Sequence, residues 1–211
     1  MSACPLCESS AVADYARDTR RAYFRCGECA LIFADPASRL ARGEEKAVYD
    51  QHENSPADPR YRQFLDRLAE PLKARLTNRN SHGLDFGSGP GPTLSVMLEE
   101  SGCVMSLYDP FYAPDTSVLN RQYDFVTCTE AIEHFHVPGR EWRLLLKLVK
   151  PGGLLAIMTR LVTESGDFLQ WHYKNDPSHV SFFSPQTFRY LAKRDRLKCE
   201  LIGNDIIFLM R

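Results

Sequence analysis

The chain of 211 residues lacks any apolar run approaching the roughly 20 residues that a membrane-spanning helix needs. Its formal net charge is −1, which excludes a strong overall basic field for nucleic acid. The first ten residues have neither a basic start nor an apolar core, so we expect no signal peptide, no membrane association and a cytoplasmic protein. Hydrophobic residues make up 44% of the chain, enough for one α/β domain of about 150 residues plus a small appendage.

Disulfides are rare in the cytoplasm, so the seven cysteines are better explained as metal ligands or buried thiols. Two C-x-x-C pairs, Cys4 with Cys7 and Cys26 with Cys29, are separated by eighteen residues. This spacing is typical of a four-cysteine zinc site, in which two tight turns each present two thiolates. Two disulfides or four free thiols are the alternatives. We therefore predict a zinc-ribbon-like module over residues 1–36 that is too small to fold without its metal.

The stretch from Leu84 to Thr93, LDFGSGPGPT, lacks backbone donors where a dinucleotide would need them. A short apolar strand leads into three alternate glycines, and a helix is predicted to follow, so that a flat ligand can lie against the bend. Pro90 and Pro92 have no N–H, which leaves few donors for a diphosphate at the start of that helix. S-adenosylmethionine carries no phosphate and tolerates the loss. The alternative is a turn whose glycines serve packing only.

A second predicted strand ends in Asp109, eighteen residues after Gly91. At this spacing a carboxylate at a strand tip can accept hydrogen bonds from both ribose hydroxyls of a nucleoside. Only fourteen residues separate Asp109 from Asp124, too few for an ordinary helix and strand. We therefore expect a shortened or irregular crossover there.

The order of predicted elements indicates three regions: the module over 1–36, a helical connector over 37–80 and a Rossmann-like domain over 81–211. The connector leads directly into the first strand, so it can fold over the bend. Tyr49, His52, Asn54 and Tyr61 are candidates for such a lid, with ordinary surface groups as the alternative. The fold class is α/β, a doubly wound and mostly parallel sheet of seven or six strands with an antiparallel last strand.

Five motifs in order resemble the class I S-adenosylmethionine-dependent methyltransferases over residues 49–211. They are Leu84-Asp85-Phe86-Gly87-Ser88-Gly89-Pro90-Gly91, Tyr108-Asp109-Pro110, Tyr123-Asp124-Phe125-Val126, Glu130-Ala131-Ile132-Glu133-His134 and Leu148-Val149-Lys150-Pro151-Gly152-Gly153. The resemblance implies a seven-stranded sheet and a cofactor site formed by Asp85, Gly87, Ser88, Gly89, Gly91, Asp109, Pro110, Thr129, Glu130 and Ala131. The family's acid after its third strand, which binds the adenine amine, has no evident counterpart before Asp124. The whole chain resembles a bacterial branch of these enzymes that carries a zinc ribbon in front.

Glu130, Glu133 and His134 are spaced i, i+3, i+4, so one helical turn would place them on one face. Two carboxylates and an imidazole can bind a divalent ion, with His179 as a further ligand. The E-x-x-E-H pattern is similar to that of ubiquinone-pathway O-methyltransferases and small-RNA 2′-hydroxyl methyltransferases, which use a metal there. Alternatively, Glu130 contacts the cofactor while Glu133 and His134 cap a helix or form a buried pair. We name His134, His179 and Glu130 as candidate catalytic residues.

The primary hypothesis is methyl transfer to an oxygen or nitrogen of an unidentified acceptor, more often a small molecule than a nucleic acid or protein. A non-catalytic zinc-ribbon adaptor that binds the cofactor and an RNA-modifying enzyme are the alternatives. The sequence leaves the acceptor and the oligomeric state open.

Overall fold

Two β-sheets organise the chain, whose computed structural model describes residues 3–51, 54–76, 78, 80–163 and 167–211. The central sheet contains β4 (His82–Phe86), β5 (Val104–Tyr108), β6 (Tyr123–Thr129), β7 (Val149–Met158), β9 (Lys198–Ile202) and β10 (Ile206–Met210). Its order is β5-β4-β6-β7-β10-β9. The first four of these strands run parallel, and β10 pairs antiparallel with both β7 and β9. The predicted α/β class, with a mostly parallel sheet and an antiparallel last strand, is confirmed.

Within the described residues the central sheet has six strands, the lower of the two predicted counts. The segment between β5 and β6 is the reason, because it is too short for a helix and a further strand. It makes a tight turn closed by a bridge between Asp109 and Ala113, then a 3-10 helix over Thr116–Asn120. The irregular crossover expected from the sequence is therefore present, and this segment forms no strand of the central sheet.

In the described ranges five α-helices surround the sheet: α1 (Arg42–Tyr49), α2 (Pro59–Arg75), α3 (Thr93–Glu100), α4 (Pro138–Leu148) and α5 (Pro185–Asp195). Local chemistry sets several of their starts. Asp58 caps α2 by accepting from the Arg60 N–H, and Ser184 caps α5 by accepting from the Thr187 N–H. In both helices proline takes the first position, where no N–H is required. No helix in the described part of the chain is long and apolar enough to cross a membrane.

The second sheet joins the N-terminal cysteine module, which we define as residues 4–34, to the rest of the chain. Its order is β1 (Val12–Arg17), β2 (Ala22–Cys26), β3 (Ile32–Ala34) and β8 (Ser181–Phe182), all antiparallel. The fourth strand comes from the segment between β7 and α5. The module therefore shares both a sheet and a hydrophobic core with the larger domain.

Each face of the central sheet is covered by a separate apolar layer. On one face, Leu65, Leu68 and Leu72 of α2 are fully buried against Phe125 and Phe208. The other face packs on α4, α5 and the cysteine module. Burying each large aliphatic side chain contributes about 1.5–3 kcal/mol, so these layers supply most of the driving force for folding.

Gly139 at the start of α4 marks where the cysteine module docks. Its N–H donates to the Pro5 carbonyl at 3.1 Å, and a Cβ built on it would lie 2.5 Å from the Leu6 carbonyl oxygen. Substituting alanine therefore forces the knuckle backbone away from the helix.

We expect Gly139→Ala to lower the free energy of unfolding by about 1–3 kcal/mol, the usual cost of overpacking. Gly43→Ala is the matched control, because a Cβ there meets no described atom within 4 Å and α1 is exposed. That control should stabilise the protein by about 0.5–1 kcal/mol. Urea denaturation measures the free energy of unfolding of both variants. An equal change in the two would contradict the contact between Gly139 and the cysteine module.

Candidate active site

The glycine bend and Asp109 lie against each other at the carboxyl ends of β4 and β5. The Gly89 N–H donates to Oδ2 of Asp109 at 3.0 Å, and the Gly87 N–H donates to the Tyr108 carbonyl at 2.8 Å. Gly87 and Gly89 both have positive φ, at +80° and +64°, which L side chains rarely adopt. Asp109 is 7% exposed, so its carboxylate is largely shielded from solvent at the bend.

Three hydroxyl groups around this bend are shielded from solvent yet have no hydrogen-bond partner among the described residues. They belong to Ser88, Thr93 and Thr129. A buried hydroxyl without a partner costs about 1–3 kcal/mol, so three of them on neighbouring elements indicate a polar ligand. The donor and acceptor set fits a nucleoside with an amino-acid tail.

Asp85 lies at the end of β4, below the bend. It is 4% exposed, and its oxygens accept from the Ser95 and Thr127 hydroxyls at 3.1 and 2.7 Å. Burial raises the pKa of the Asp85 carboxyl, although these two hydrogen bonds oppose the shift. Asp85 therefore ties β4, α3 and β6 together beside the glycine bend.

The connector covers the bend, as the sequence predicts for a lid. A Cβ on Gly91 would lie 1.6 Å from the Asn54 carbonyl oxygen, so only glycine allows the connector to sit this close. The Pro110 carbonyl, beside Asp109, accepts from Arg42 of α1 at 3.1 Å. His52, another lid candidate, lies outside the described residues.

Two tyrosines of the connector lie near the proposed site. Tyr49 lies edge-on to the His134 ring at 5.0 Å, and its hydroxyl donates to Glu45. Burial, with smaller contributions from the charges of Asp85 and Glu130, raises the pKa of Tyr61 to about 12. Tyr49 thus contacts a candidate catalytic residue, and Tyr61 is close enough to sense the charges of Asp85 and Glu130.

Beyond β6 the backbone turns sharply at Glu130. This residue has φ +47°, and its N–H donates to the Met158 carbonyl at 2.8 Å. A non-glycine residue in the left-handed region carries strain, which is commonly found at functional sites. Ala131 follows directly, and a Cβ on Gly87 would stand 2.6 Å from its methyl group. The strand end therefore contacts the glycine bend directly.

Glu133 is fully buried at the centre of a hydrogen-bonded network. Oε1 accepts from the Tyr173 hydroxyl at 2.5 Å, and Oε2 accepts from the Thr159 hydroxyl at 3.0 Å. The same Tyr173 hydroxyl lies 3.3 Å from Oε2 of Glu130, so it bridges the two carboxylates. Neither Tyr173 nor Thr159 is marked as a partner of Glu133 by any sequence motif.

Burial raises the pKa of both carboxyl groups. For Glu130 burial and the neighbouring charge of Glu133 raise the pKa to about 8. For Glu133 burial is again the main cause, opposed by His179 and the hydroxyl hydrogen bonds. Two acids that share a buried site resist ionising together, and a cation between them would remove that conflict.

His134 and His179 present their rings to Glu133 with fixed orientations. Nδ1 of His134 lies 3.2 Å from the Ser178 carbonyl, and Nδ1 of His179 lies 2.7 Å from the Tyr173 carbonyl. These contacts favour the tautomer with the proton on Nδ1 and the lone pair on Nε2, as in histidines that bind metals. The two rings are 4.7 Å apart.

Glu133, His134 and His179 form what we call the histidine–carboxylate cluster, whose ligand atoms lie within 4.8 Å of one another. Adjacent ligands of one ion, with bonds of about 2.0–2.2 Å, are about 3–3.6 Å apart, so the three ligand atoms would move closer together to bind a cation. Glu130 is not in this cluster. The sequence placed it on a shared helical face, but the 3-10 helix covers only Ile132–His134 and Glu130 precedes it in a different conformation.

The four N-terminal cysteines also meet in space. The Sγ atoms of Cys4 and Cys29 are 3.6 Å apart, those of Cys7 and Cys26 are 3.5 Å apart, and all four lie within 4.8 Å of one another. Thiolates around one zinc at bond lengths of about 2.3 Å are about 3.8 Å apart, whereas a disulfide needs about 2.05 Å. All four thiols are unpaired, so the disulfide alternative is not realised.

Both knuckles share one backbone geometry. The Glu8 N–H donates to the Cys4 carbonyl, and the Ala30 N–H donates to the Cys26 carbonyl, at 2.9 and 3.0 Å. Glu8 and Ala30 each follow the second cysteine of a pair and have φ near +60°, at 64° and 58°. A hydrogen bond from Cys29 lowers the pKa of Cys4 to about 5, which favours one thiolate at neutral pH.

The aromatic residues that follow β7 divide between the site and the core. Phe182 and Phe183 are 1% exposed and pack in separate apolar clusters. Tyr173 alone of this group hydrogen-bonds to the acids. A tyrosine between two histidines in the loop after β7 is the one sequence signal that could have pointed to it.

Comparison with known proteins agrees with this architecture. A family model described as a methyltransferase domain matches residues 33–199. The ubiquinone biosynthesis O-methyltransferase of Aeromonas salmonicida is 31% identical over 90 residues, which cover 42% of this chain and 38% of that protein. The enzyme of the same name from Pseudomonas savastanoi is 35% identical over 78 residues, covering 36% and 33%. The chain thus aligns with less than two fifths of the length of these curated relatives.

Among solved structures, magnesium protoporphyrin IX methyltransferase from Synechocystis, determined with bound SAH, superposes with a TM-score of 0.53. The superposition covers 80% of this chain and 94% of that chain at 13% identity, so it reports a shared fold. Since the family model spans more than half of the sequence, the chain belongs to the methyltransferase-domain family.

Proposed function

We propose that this protein is an S-adenosylmethionine-dependent methyltransferase that acts on an oxygen atom of a small molecule. The observation that carries the proposal is the glycine bend, where the Gly89 N–H meets the buried Asp109 carboxylate and three shielded hydroxyls on neighbouring elements have no partner among the described residues. Asp109 would accept from the ribose hydroxyls, while Ser88, Thr93 and Thr129 would bind the remaining polar groups. Oxygen is preferred over nitrogen because the curated relatives are named O-methyltransferases.

Bound S-adenosylmethionine supplies a methyl group on a sulfonium, whose leaving group departs neutral and needs no acid. The chain's own residues then have two tasks. The first is to hold the acceptor in line with the methyl group, which can contribute up to about 7–11 kcal/mol. The second is to take the proton from the acceptor, which can raise the reaction rate by about 10²–10⁴-fold. Glu130, His134 and His179 surround the end of β6 and are candidates for the second task.

The histidine–carboxylate cluster would hold a divalent cation, with Glu133, His134 and His179 as ligands and Glu130 beside it. Support comes from the buried acids with raised pKa values and from the two histidines fixed through Nδ1. A cation here would lower the pKa of an acceptor hydroxyl.

We expect Glu133→Gln to weaken Mn²⁺ binding at this cluster by at least about 10-fold, because it removes the buried anionic ligand. Mn²⁺ suits carboxylate and imidazole ligands and distinguishes this site from the thiolates. The exposed Glu99→Gln is the matched control. Paramagnetic resonance during a Mn²⁺ titration measures the affinity, and equal affinity in both variants would contradict the metal site.

The four cysteines of the module would bind one structural zinc, in a compartment such as the cytoplasm where thiols stay reduced. Four thiolates complete the tetrahedron and leave no open position, so this ion would stabilise the fold and take no part in the reaction. The matching geometry of the two knuckles supports this role.

The function is tested by titration calorimetry with S-adenosylmethionine, followed by incubation of the protein with methyl-labelled cofactor and a small-molecule extract of its native cells. Binding of the cofactor and a labelled product whose methyl lies on oxygen are the expected results. Absence of cofactor binding would refute the proposal. If the protein binds the cofactor but labels no small molecule in this extract, while RNA or protein becomes labelled in a whole-cell extract, the small-molecule acceptor is refuted.

A further inference from the structure

The cysteine module reaches the proposed active site through one buried arginine, Arg21, which precedes β2. Its guanidinium lies outside the glycine bend and outside the histidine–carboxylate cluster. It is directed instead at the segment over 172–182, the histidine loop, which carries Tyr173 and His179. Arg21 is 8% exposed although it carries a full charge, so its burial requires hydrogen-bond partners for the guanidinium.

All five N–H donors of the Arg21 guanidinium are used. Nε donates to the Tyr23 hydroxyl at 3.1 Å. The two terminal nitrogens donate to four backbone carbonyls of the histidine loop, those of Lys174, Asp176, Pro177 and His179. The contact with the His179 carbonyl measures 2.7 Å. Only arginine has five donors in a planar fork, whereas lysine has three.

Further contacts connect the module to the same loop. Lys174, 3% exposed, forms an ion pair with Asp18 of the β1–β2 turn at 2.7 Å. The Ala34 N–H donates to the Val180 carbonyl at 2.9 Å. On its inner side the loop is attached to the site, because the Val180 N–H donates to the Glu133 carbonyl at 2.9 Å. The loop is therefore held between the module and the acids.

We infer that Arg21 is a positioning residue: it fixes the histidine loop so that the His179 imidazole is presented to Glu133 and His134. The chain of contacts is short. Arg21 holds the carbonyl of His179 itself and that of Lys174, the residue next to Tyr173, whose own carbonyl lies 2.7 Å from Nδ1 of His179. The inference rests on the proposed function, since the orientation of His179 affects the reaction only if the cluster serves it.

The inference also gives the cysteine module a role. Arg21 and Asp18 belong to the β1–β2 hairpin, which follows the first cysteine knuckle and leads into the second. A module that only capped the larger domain would not need a buried cation directed at the active-site loop. Here the hairpin forms the outer support of the loop that supplies His179.

Arg21→Lys in the full chain tests this, with the neighbouring exposed Arg20→Lys as the matched control. Lysine keeps the charge but leaves at least two of the five acceptors without a donor. The first readout is the nitrogen chemical shift of the His179 imidazole in protein labelled with ¹⁵N-histidine, assigned by its loss in His179→Asn. We expect the Nδ1–H tautomer in wild type and Arg20→Lys, and a mixture of tautomers in Arg21→Lys.

His82, on the distant strand β4, is the internal reference and should be unchanged in every variant. The second readout is Mn²⁺ affinity, expected to fall about 10–100-fold in Arg21→Lys alone, as for residues that orient metal ligands. An unchanged His179 signal in Arg21→Lys would overturn the inference. So would an equal change at His82, because that would mean general loss of structure.

Cofactor affinity separates this inference from the proposed function. Arg21→Lys should bind S-adenosylmethionine within about twofold of wild type, since Arg21 does not contact the glycine bend. A wild-type protein that binds no cofactor would refute the proposed function, while the His179 signal would still decide the role of Arg21. A tenfold loss of cofactor affinity in Arg21→Lys would contradict a role confined to the histidine loop.

Discussion

Asp109→Ala is expected to weaken S-adenosylmethionine binding by about 100-fold or more. Hydrogen bonds to a charged group contribute about 1.5–3 kcal/mol each, and the carboxylate would accept two from the ribose, so their joint loss exceeds about 3 kcal/mol. Titration calorimetry gives the dissociation constant directly.

The same carboxylate also supports the turn after β5, because Oδ1 accepts from the Phe111 and Tyr112 N–H groups at 2.8 and 3.1 Å. Asp109→Asn is therefore the second variant, since it keeps one carbonyl oxygen for the turn while losing the charge. It should bind the cofactor with intermediate affinity. Asp115→Ala, an exposed acid that caps the nearby 3-10 helix, should bind like wild type. Unchanged affinity in both Asp109 variants would count against the cofactor site.

Cys29→Ser is expected to abolish stoichiometric zinc binding and to unfold the cysteine module. The apparent binding free energy of structural zinc is about 10–16 kcal/mol in small peptides, comparable with the whole stability of a typical domain. Because β3 pairs with β8, the loss should extend to the histidine loop. Elemental analysis gives the zinc content, and hydrogen exchange should show faster exchange in β2, β3 and β8 with β4 still protected.

Cys199→Ser is the matched control, since Cys199 is a half-buried thiol on β9, outside the cysteine cluster. This variant should keep one zinc per chain, and its β2, β3 and β8 strands should exchange hydrogen as slowly as in the wild-type protein. A wild-type protein without zinc, or a Cys29→Ser variant that retains it, would rule out the structural ion.

Local patterns in the sequence were sufficient for most elements. The strand, glycine bend and helix over 82–100 follow from short-range steric and capping rules, and the two prolines at helix starts fix α2 and α5. In the predicted helical connector the first α-helix begins only at Arg42, because Pro36–Ser38 forms a separate 3-10 turn first. The bend beside Asp109 was predictable because the parallel strands β4 and β5 end at one edge of the sheet.

The sequence by itself therefore determined the fold class, the four-cysteine pattern and the glycine bend with Asp109 beside it. Only the tertiary structure decided that Tyr173 and Thr159 bind Glu133, that Glu130 stands outside the cluster, and that Arg21 supports the loop of His179. These contacts join residues 26 to 158 positions apart. Periodicity and capping act within a few residues, whereas such pairs are set by how buried polar groups find partners once the sheets have packed.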